Sequence, residues 1–533
     1  MAQRKRLLVL GLLVSPFVVF LFSLTLGPTE IPFPALGKAL LSPIVRAWND
    51  AITPVERDIL FGIRLPRLLL GLAVGAALSV SGASLQAVFK NPLVNEYILG
   101  LSSGAAFGAS LSIVVLGSAV PPQIAAFVFA LLAVALVLLV SRTSRSSPIS
   151  ILLTGVIISA FFSALLSLVE FFASPYSLQS LFYWLMGNLG TAGWPDLAIP
   201  LPLIAAGTVP LLLMSWRLNV LSLEDEDARS LGVNVKRDQR IVVLLATLIT
   251  AAAVCPRRDF HEPHRPALVH SPSGEVLEDL AMNITVRNLR YARPGFELLV
   301  PAFDVAAADI TSIVGPNGAG KTTFLKCLSG LWRPAEGRIR IDGSDLDALG
   351  DSERARRLAF VPQEHSAAFN FSVLEFVLMG RTARLPLFGA PSAGDRAAAE
   401  EALAYVGFPH PAARPMFQLS SGERRLVLIA RALAQEADIL VLDEPTTFLD
   451  PRHETGIMEL IRRLSAEQGK TIIVTLHDLN LAIRYSGRIV FLKDGRIVAD
   501  GRPDDILTRE LLRRVYEIPM DIVDHDGRRF IVK

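Results

Sequence analysis

Gly315-Pro316-Asn317-Gly318-Ala319-Gly320-Lys321-Thr322-Thr323 follows the apolar run Ile310-Thr311-Ser312-Ile313-Val314. The pattern predicts a buried strand, a glycine-rich turn and the start of a helix. Such a turn lets backbone N–H groups converge on the β- and γ-phosphates of a nucleotide. Lys321 adds a cation, and Thr322 supplies a hydroxyl for Mg²⁺. The helix N-terminus behind the loop favours anions through its unpaired N–H groups and macrodipole.

Other short motifs follow in order. Gln363 ends Phe360-Val361-Pro362-Gln363, and Leu419-Ser420-Ser421-Gly422-Glu423 precedes a long helical run. Ile439-Leu440-Val441-Leu442-Asp443-Glu444 reads as a buried strand ending in two carboxylates, with Phe448-Leu449-Asp450 just beyond. Thr471-Ile472-Ile473-Val474-Thr475-Leu476-His477-Asp478 is a further strand ending in a histidine. Over residues 281–533 this set resembles the nucleotide-binding domain of ABC transporters.

The resemblance implies ATP and Mg²⁺ as ligands and assigns the residues roles. Gly315, Asn317, Gly318, Gly320, Lys321, Thr322 and Thr323 cradle the phosphates. Asp443, with Thr322 and Gln363, attends the metal. Glu444 is the expected general base, polarising the attacking water. His477 contacts the γ-phosphate, Gln363 reports nucleotide state to the membrane part, and Tyr291 stacks on adenine. Ser420, Gly422 and Glu423 of the signature loop, with Asp450, are counted among the nucleotide-binding residues. The signature loop completes the site of a second copy, so that ATP lies between Lys321 of one chain and Ser420 and Gly422 of the other. In the family the signature has Gly-Gly where this chain has Ser421-Gly422; a side chain costs backbone freedom there, and slower turnover is expected. Residues 365–418 are expected to form an inserted helical subdomain, and the tail after Asp500 short helices and a closing strand, Arg529–Val532.

The first half is of another kind. The chain is 51% hydrophobic, yet its second half is ordinarily charged, so the apolar excess lies in the first 254 residues. Runs near Leu7–Leu26, Leu68–Val88, Tyr97–Leu116, Ile124–Val140, Ile149–Phe172 and Leu197–Met214 each approach the ~20 residues that cross a bilayer. An all-α polytopic membrane bundle is therefore expected before the α/β domain. The basic start Arg4-Lys5-Arg6 could open a signal peptide, but no small-residue cleavage site follows, and an uncleaved first span is expected. Arg4, Lys5, Arg6, Lys90, Arg142, Arg145, Arg217, Arg229, Lys236, Arg237 and Arg240 fall on one side if the N-terminus is cytoplasmic. Arg64 and Arg67 are exceptions.

Arg64-Leu65-Pro66-Arg67, the small-residue run Gly71–Ala83, Asn91–Ala105, Trp184-Leu185-Met186-Gly187 and Ala228-Arg229-Ser230-Leu231-Gly232-Val233 are similar to the permeases of iron-siderophore, haem and vitamin B12 importers. Small residues let helices approach closely in lipid. By this resemblance Glu224-Asp225-Glu226-Asp227, leading into Ala228–Gly232, is the cytoplasmic coupling segment that docks on the ATPase. Such permeases have ten spans. Here Ile241–Val254 starts a seventh, and its fourteen residues reach about 21 Å at ~1.5 Å each, short of the ~30 Å hydrocarbon core. Six crossings return the chain to the side where ATP is, so six spans and a stub are expected. Residues 255–280, with Cys255, His261, Glu262, His264 and His270, are read as a linker rather than a metal site. Whether this junction is an evolved fusion or a deletion scar stays open. Cys255 and Cys327 suggest no disulfide framework.

The expected function is ATP-driven import of a metal chelate across the bacterial cytoplasmic membrane. The expected protein is a multi-pass homodimer with its ATPase in the cytoplasm, served by a periplasmic substrate-binding protein. Phe371–Arg381 also fits ATPases that serve molybdate or tungstate. The alternatives are a membrane-tethered ATPase without transport and an exporter half-transporter. A formal charge of +2 offers no basic footprint for nucleic acid.

Overall fold

The computed structural model describes residues 2–27, 29, 31–41, 53–116, 119–141, 148–186, 192–254, 284–363, 369–525 and 528–532. The junction with Cys255, His261, Glu262, His264 and His270 lies outside them, as do Arg142, Arg145 and Gly187. The chain divides into two compact units, Met1–Leu213 with Gln239–Leu268, and Met214–Asp238 with Val269–Lys533.

In the first unit a helix stands at each expected span: Ala2–Thr25, Leu65–Phe89, Leu101–Ser110, Pro122–Ser141, Pro148–Phe172 and Pro200–Leu213. Among the described residues, Pro54–Phe89, Leu152–Phe172 and Trp194–Leu213 are long and apolar enough to cross a membrane, and Val14–Thr25, Leu101–Val115 and Pro122–Val137 are shorter apolar helices. Two boundaries differ from the periodicity reading. The third apolar run opens as a 3₁₀ turn, Glu96–Leu99, and Gly100 in a left-handed conformation (φ +77°) starts the helix only at Leu101. The helix through Ile241–Val254 begins at Val235, because the charged turn ahead of the apolar run is also helix-forming.

Small residues mark the closest helix approaches. A Cβ on Gly104 would stand 2.6 Å from the Phe129 carbonyl, and one on Gly108 2.4 Å from that of Ala125, so two helix backbones meet where only glycine fits. Arg64, an exception to the charge bias, has a local role: its Nη1 donates to Leu24 O at 2.7 Å, and it also bonds Thr29 O. Its guanidinium thus satisfies carbonyls at the end of the first helix, which otherwise have no partner.

The second unit is built on a ten-stranded sheet. In chain order its strands are β1 (Ile284–Arg293), β2 (Phe296–Val305), β3 (Ile310–Val314), β4 (Glu336–Ile341), β5 (Ser344–Asp345), β6 (Leu358–Val361), β7 (Ile439–Leu442), β8 (Thr471–Thr475), β9 (Arg488–Lys493) and β10 (Arg496–Gly501). They are ordered β5-β4-β1-β2-β10-β9-β3-β8-β7-β6. β9, β3, β8, β7 and β6 run parallel to one another. Their continuous apolar runs fit burial on both faces: β3, β6, β7 and β8 are buried at every residue. Between β6 and β7 lie the helices Val373–Leu378, Ala393–Tyr405 and Ser421–Ala434, the inserted helical subdomain. The tail departs from expectation: β12 (Arg528–Val532) does not close the main sheet but pairs with β11 (Asp521–His525) in a separate hairpin.

Candidate active site

Four neighbouring parallel strands, in the order β3, β8, β7 and β6, deliver the candidate residues at their carboxyl ends, where open α/β sheets bind ligands. β3 leads into the glycine loop and the helix Lys321–Leu328; β8 leads to His477, β7 to Asp443 and Glu444, and β6 to Gln363. The loop needs its glycines. Gly315 (φ +156°) has Leu492 O 2.0 Å from where a Cβ would be, and Gly320 (φ +101°) has the Phe296 ring at 2.6 Å. Lys321 Nζ donates to Gly315 O at 2.9 Å and to Pro316 O at 3.2 Å. Burial pushes its pKa down, against the attraction of Glu444 and Asp443.

The two carboxylates differ in setting. Asp443 is 2% exposed; its Oδ1 accepts from Thr475 Oγ1 at 2.8 Å and Thr322 Oγ1 at 3.2 Å. Burial pushes its pKa up, and these two hydrogen bonds oppose the shift. Glu444 sits at φ +47°, a conformation that costs a non-glycine residue of order 1 kcal/mol or more and that clusters at functional sites. Its N–H donates to Thr475 Oγ1 at 2.8 Å. Its Oε2 accepts from Gln363 Nε2 at 2.6 Å and Thr447 Oγ1 at 3.2 Å, and its Oε1 lies 2.6 Å from His477 Nε2. Lys321, Thr322, Asp443, Glu444, Gln363 and His477 are thus one connected cluster. A pocket lined by Asn317, Gly318, Gly320, Lys321, Thr322, Thr323 and Glu444 opens beside it.

Tyr291, Ser420, Gly422, Glu423 and Asp450 are not in that cluster. Tyr291 lies on β1, its ring stacked on Trp332 at 5.4 Å between centroids and 17° between planes. Ser420 caps the helix Ser421–Ala434. Its N–H donates to Glu423 Oε2 at 2.8 Å, and the Glu423 N–H donates to Ser420 Oγ at 3.3 Å. Asp450 caps the helix Pro451–Gln468, accepting from His453 N at 2.9 Å. A Cβ on Gly422 would meet the His453 ring at 2.8 Å.

Three residues here carried no signal in the sequence. Arg425 Nη1 and Nη2 donate to Pro362 O at 3.0 Å and Gln363 O at 2.8 Å, tying the signature helix to the glutamine loop. Arg293 lines the phosphate pocket, two residues beyond Tyr291 on the same strand face. His410 bonds Glu423.

The segment Met214–Asp238 packs within this unit. Arg431 Nη2 is paired with Asp227 Oδ1 at 2.9 Å. Gln435 Nε2 donates to Ser230 O at 3.1 Å, Ser352 Oγ to Gly232 O at 3.2 Å, and Arg217 Nη2 to Leu385 O at 3.2 Å.

A phosphate loop, a carboxylate pair, a strand-end histidine and a capped signature helix, on this sheet order and with a helical insert, define a P-loop ATPase of the ABC class. Residues 300–447 match the ABC transporter family and residues 13–256 the FecCD transport family. The ferric enterobactin transport ATP-binding protein FepC of Escherichia coli (strain K12) is 39% identical over 221 residues, 42% of this chain and 82% of that protein. The hemin import ATP-binding protein HmuV of Nocardia farcinica (strain IFM 10152) is 42% identical over 223 residues, 42% of this chain and 76% of that protein. The cobalamin import ATP-binding protein BtuD of Halobacterium salinarum (strain ATCC 29341 / DSM 671 / R1) is 40% identical over 208 residues, 39% of this chain but 52% of that protein, so the chain spans about half its length. The chain belongs to the ABC transporter family: it joins a FecCD-type membrane part and an ATP-binding part whose ATPase activity is coupled to transport.

Proposed function

We propose that the protein imports a metal chelate of the iron-siderophore, haem or cobalamin type across the cytoplasmic membrane, driven by its own ATPase. The observation that carries this reading is the connected cluster of Lys321, Thr322, Asp443, Glu444, Gln363 and His477 in a chain that also holds a FecCD-type part. Residues 1–254 are taken as the permease, 255–280 as linker and 281–533 as the ATPase. The working unit is a multi-pass homodimer, supplied by a periplasmic binding protein at its outer mouth.

The glycine loop and Lys321 hold the phosphates, and the Thr322 hydroxyl, the Asp443 carboxylate and the Gln363 amide are hard oxygen donors that suit Mg²⁺. Asp443 fits that part because its buried charge meets only hydroxyl donors among the bonds above. Mg²⁺ would neutralise charge between the phosphates. Glu444, with its carboxylate held by Gln363, Thr447 and His477, is placed to orient a water and take its proton. His477, at the end of β8, contacts the γ-phosphate, and Tyr291 offers adenine the face that Trp332 does not cover. Ser420, Gly422, Glu423 and Asp450, set apart in one chain, serve the site of the second copy. Asp227 and Arg431 dock the coupling segment on the ATPase.

Reconstituted protein with a cognate binding protein should accumulate one of the three cargoes in an ATP-dependent way, and Glu444→Gln should abolish it. Turnover with no uptake of any would refute import and leave the membrane-tethered ATPase.

A further inference from the structure

Four side chains away from the phosphate cluster form a continuous chain of contacts. Trp332 follows the phosphate-loop helix, and its Nε1–H donates to Glu226 Oε1 at 3.0 Å. The other oxygen of Glu226 holds Lys326 Nζ at 2.7 Å, and that ammonium lies 4.7 Å from the indole centroid. The same indole is nearly parallel to Tyr291. Glu226 stands in the coupling segment, 106 positions before Trp332.

The physics of such a chain is directional. A partly exposed indole in a turn has rotamer freedom. A hydrogen bond to a carboxylate fixes its edge, and a cation near the ring adds to the restraint. A stacked neighbour then follows its plane, because offset parallel packing is lost when one ring tilts. Gln363 and Glu444 take no part, since they meet on the phosphate side of the site.

We propose that Glu226 and Trp332 are positioning residues through which the coupling segment sets the adenine platform. The inference rests on the reading of Tyr291 as that platform. When Glu226 leaves Trp332, the indole is released, Tyr291 loses its support and the base is held less tightly. The grip of Lys321 and Thr322 on the phosphates is unchanged. By linkage, a bound base favours the docked segment to the same extent.

The test compares two probes on the full chain in lipid nanodiscs, by calorimetric titration with ADP and with pyrophosphate. Both fill the phosphate loop, and only ADP carries a base. Glu226→Ala and Trp332→Phe should each weaken ADP roughly three- to tenfold, the scale of a lost aromatic contact. Pyrophosphate should stay within about twofold, a change too small to count as a lost contact. Glu226→Gln keeps an acceptor for the indole and should recover most of the loss. Tyr291→Ala should weaken ADP alike, and adding Glu226→Ala to it should cost nothing more, as expected of residues acting in series. If Tyr291→Ala weakens ADP while Glu226→Ala and Trp332→Phe do not, the platform stands and the link is refuted. If Tyr291→Ala leaves ADP unchanged, the platform reading fails and the link falls with it. Equal losses for ADP and pyrophosphate would also overturn it, since the effect would then reach the phosphate site.

Discussion

Replacing Asp227 by alanine should undock the coupling segment. The Asp227 and Arg431 side chains are 5% and 2% exposed and meet at 2.9 Å, and the Arg431 guanidinium lies 4.7 Å from the Phe376 ring centroid. Removing one partner of a buried pair costs about 3–5 kcal/mol, because the other charge stays in the low-dielectric interior. The neighbouring bonds of Gln435 to Ser230 O and of Ser352 to Gly232 O contribute roughly 1 kcal/mol each, too little to offset that. Loss of the acidic residue from the first turn of Asp225–Ser230 accounts for at most about 1 kcal/mol. At 1.4 kcal/mol per tenfold, opening of the segment should rise by roughly two to three and a half powers of ten. Amide hydrogen exchange of the full chain reads this directly. The Ala228, Leu231 and Val233 N–H groups donate to Glu224, Asp227 and Ala228 carbonyls and should lose protection by that factor. Arg431→Met in the same background removes the stranded charge and should restore much of it. Protection within about threefold of native in Asp227→Ala, under 1 kcal/mol, would refute the reasoning. So would a double variant no better than the single one.

Arg425→Ala removes both bonds to the glutamine-loop carbonyls; steady-state kinetics should show turnover reduced roughly tenfold and the KM for ATP within about twofold, the pattern of lost transition-state positioning. For Glu423, the Ser420 N–H, helped by His410 and the Ser420 hydroxyl, holds the carboxyl down to about 2 from an ordinary 4.5. A depressed carboxyl stabilises fully above its unfolded pKa, so its contribution is present above pH 4.5 and lost as pH falls toward 2. The advantage in thermal midpoint of the native chain over Glu423→Gln should therefore shrink across that window, and a gap independent of pH would contradict the assignment. Burial pushes the Cys327 thiol up to about 12. A maleimide at neutral pH should leave Cys327 unmodified in the folded protein and label it after denaturation, with Cys327→Ser as control; fast labelling of folded protein would place that helix elsewhere.

The parts that the sequence made legible are those in which one local pattern carries both a strand and the chemistry at its end. Ile310–Val314 is an apolar run that stops at a glycine, and Ile439–Leu442 one that stops at two carboxylates. The only geometry needed to bring them together is the parallel order of β3, β8, β7 and β6. Arg425, Arg293 and His410 were not legible, because each acts on a backbone or a neighbour that the tertiary fold alone brings near. The Asp227–Arg431 pair is separated by 204 positions; composition marked Glu224–Asp227 as acidic, but nothing local distinguishes the buried Asp227 from a solvated one.

Ser421 shows how a motif can be read one residue out of place. Sequence comparison puts the cost of a missing glycine there, as if its backbone required glycine. Among the described residues Ser421 is not one of those with positive φ; it is exposed, at the first turn of its helix, where serine is unstrained. The steric demand falls on Gly422, whose missing Cβ leaves room for the His453 ring, and that ring is itself held by Asp450 at 2.7 Å. Glycine at 422 is therefore what lets the signature helix pack against the start of Pro451–Gln468. A side chain at 421 instead faces the pocket shared with Gln363 and Thr447. The physical consequence of the departure is thus added bulk beside the glutamine loop, and the expected slower turnover, if it is found, has its cause there rather than in backbone strain.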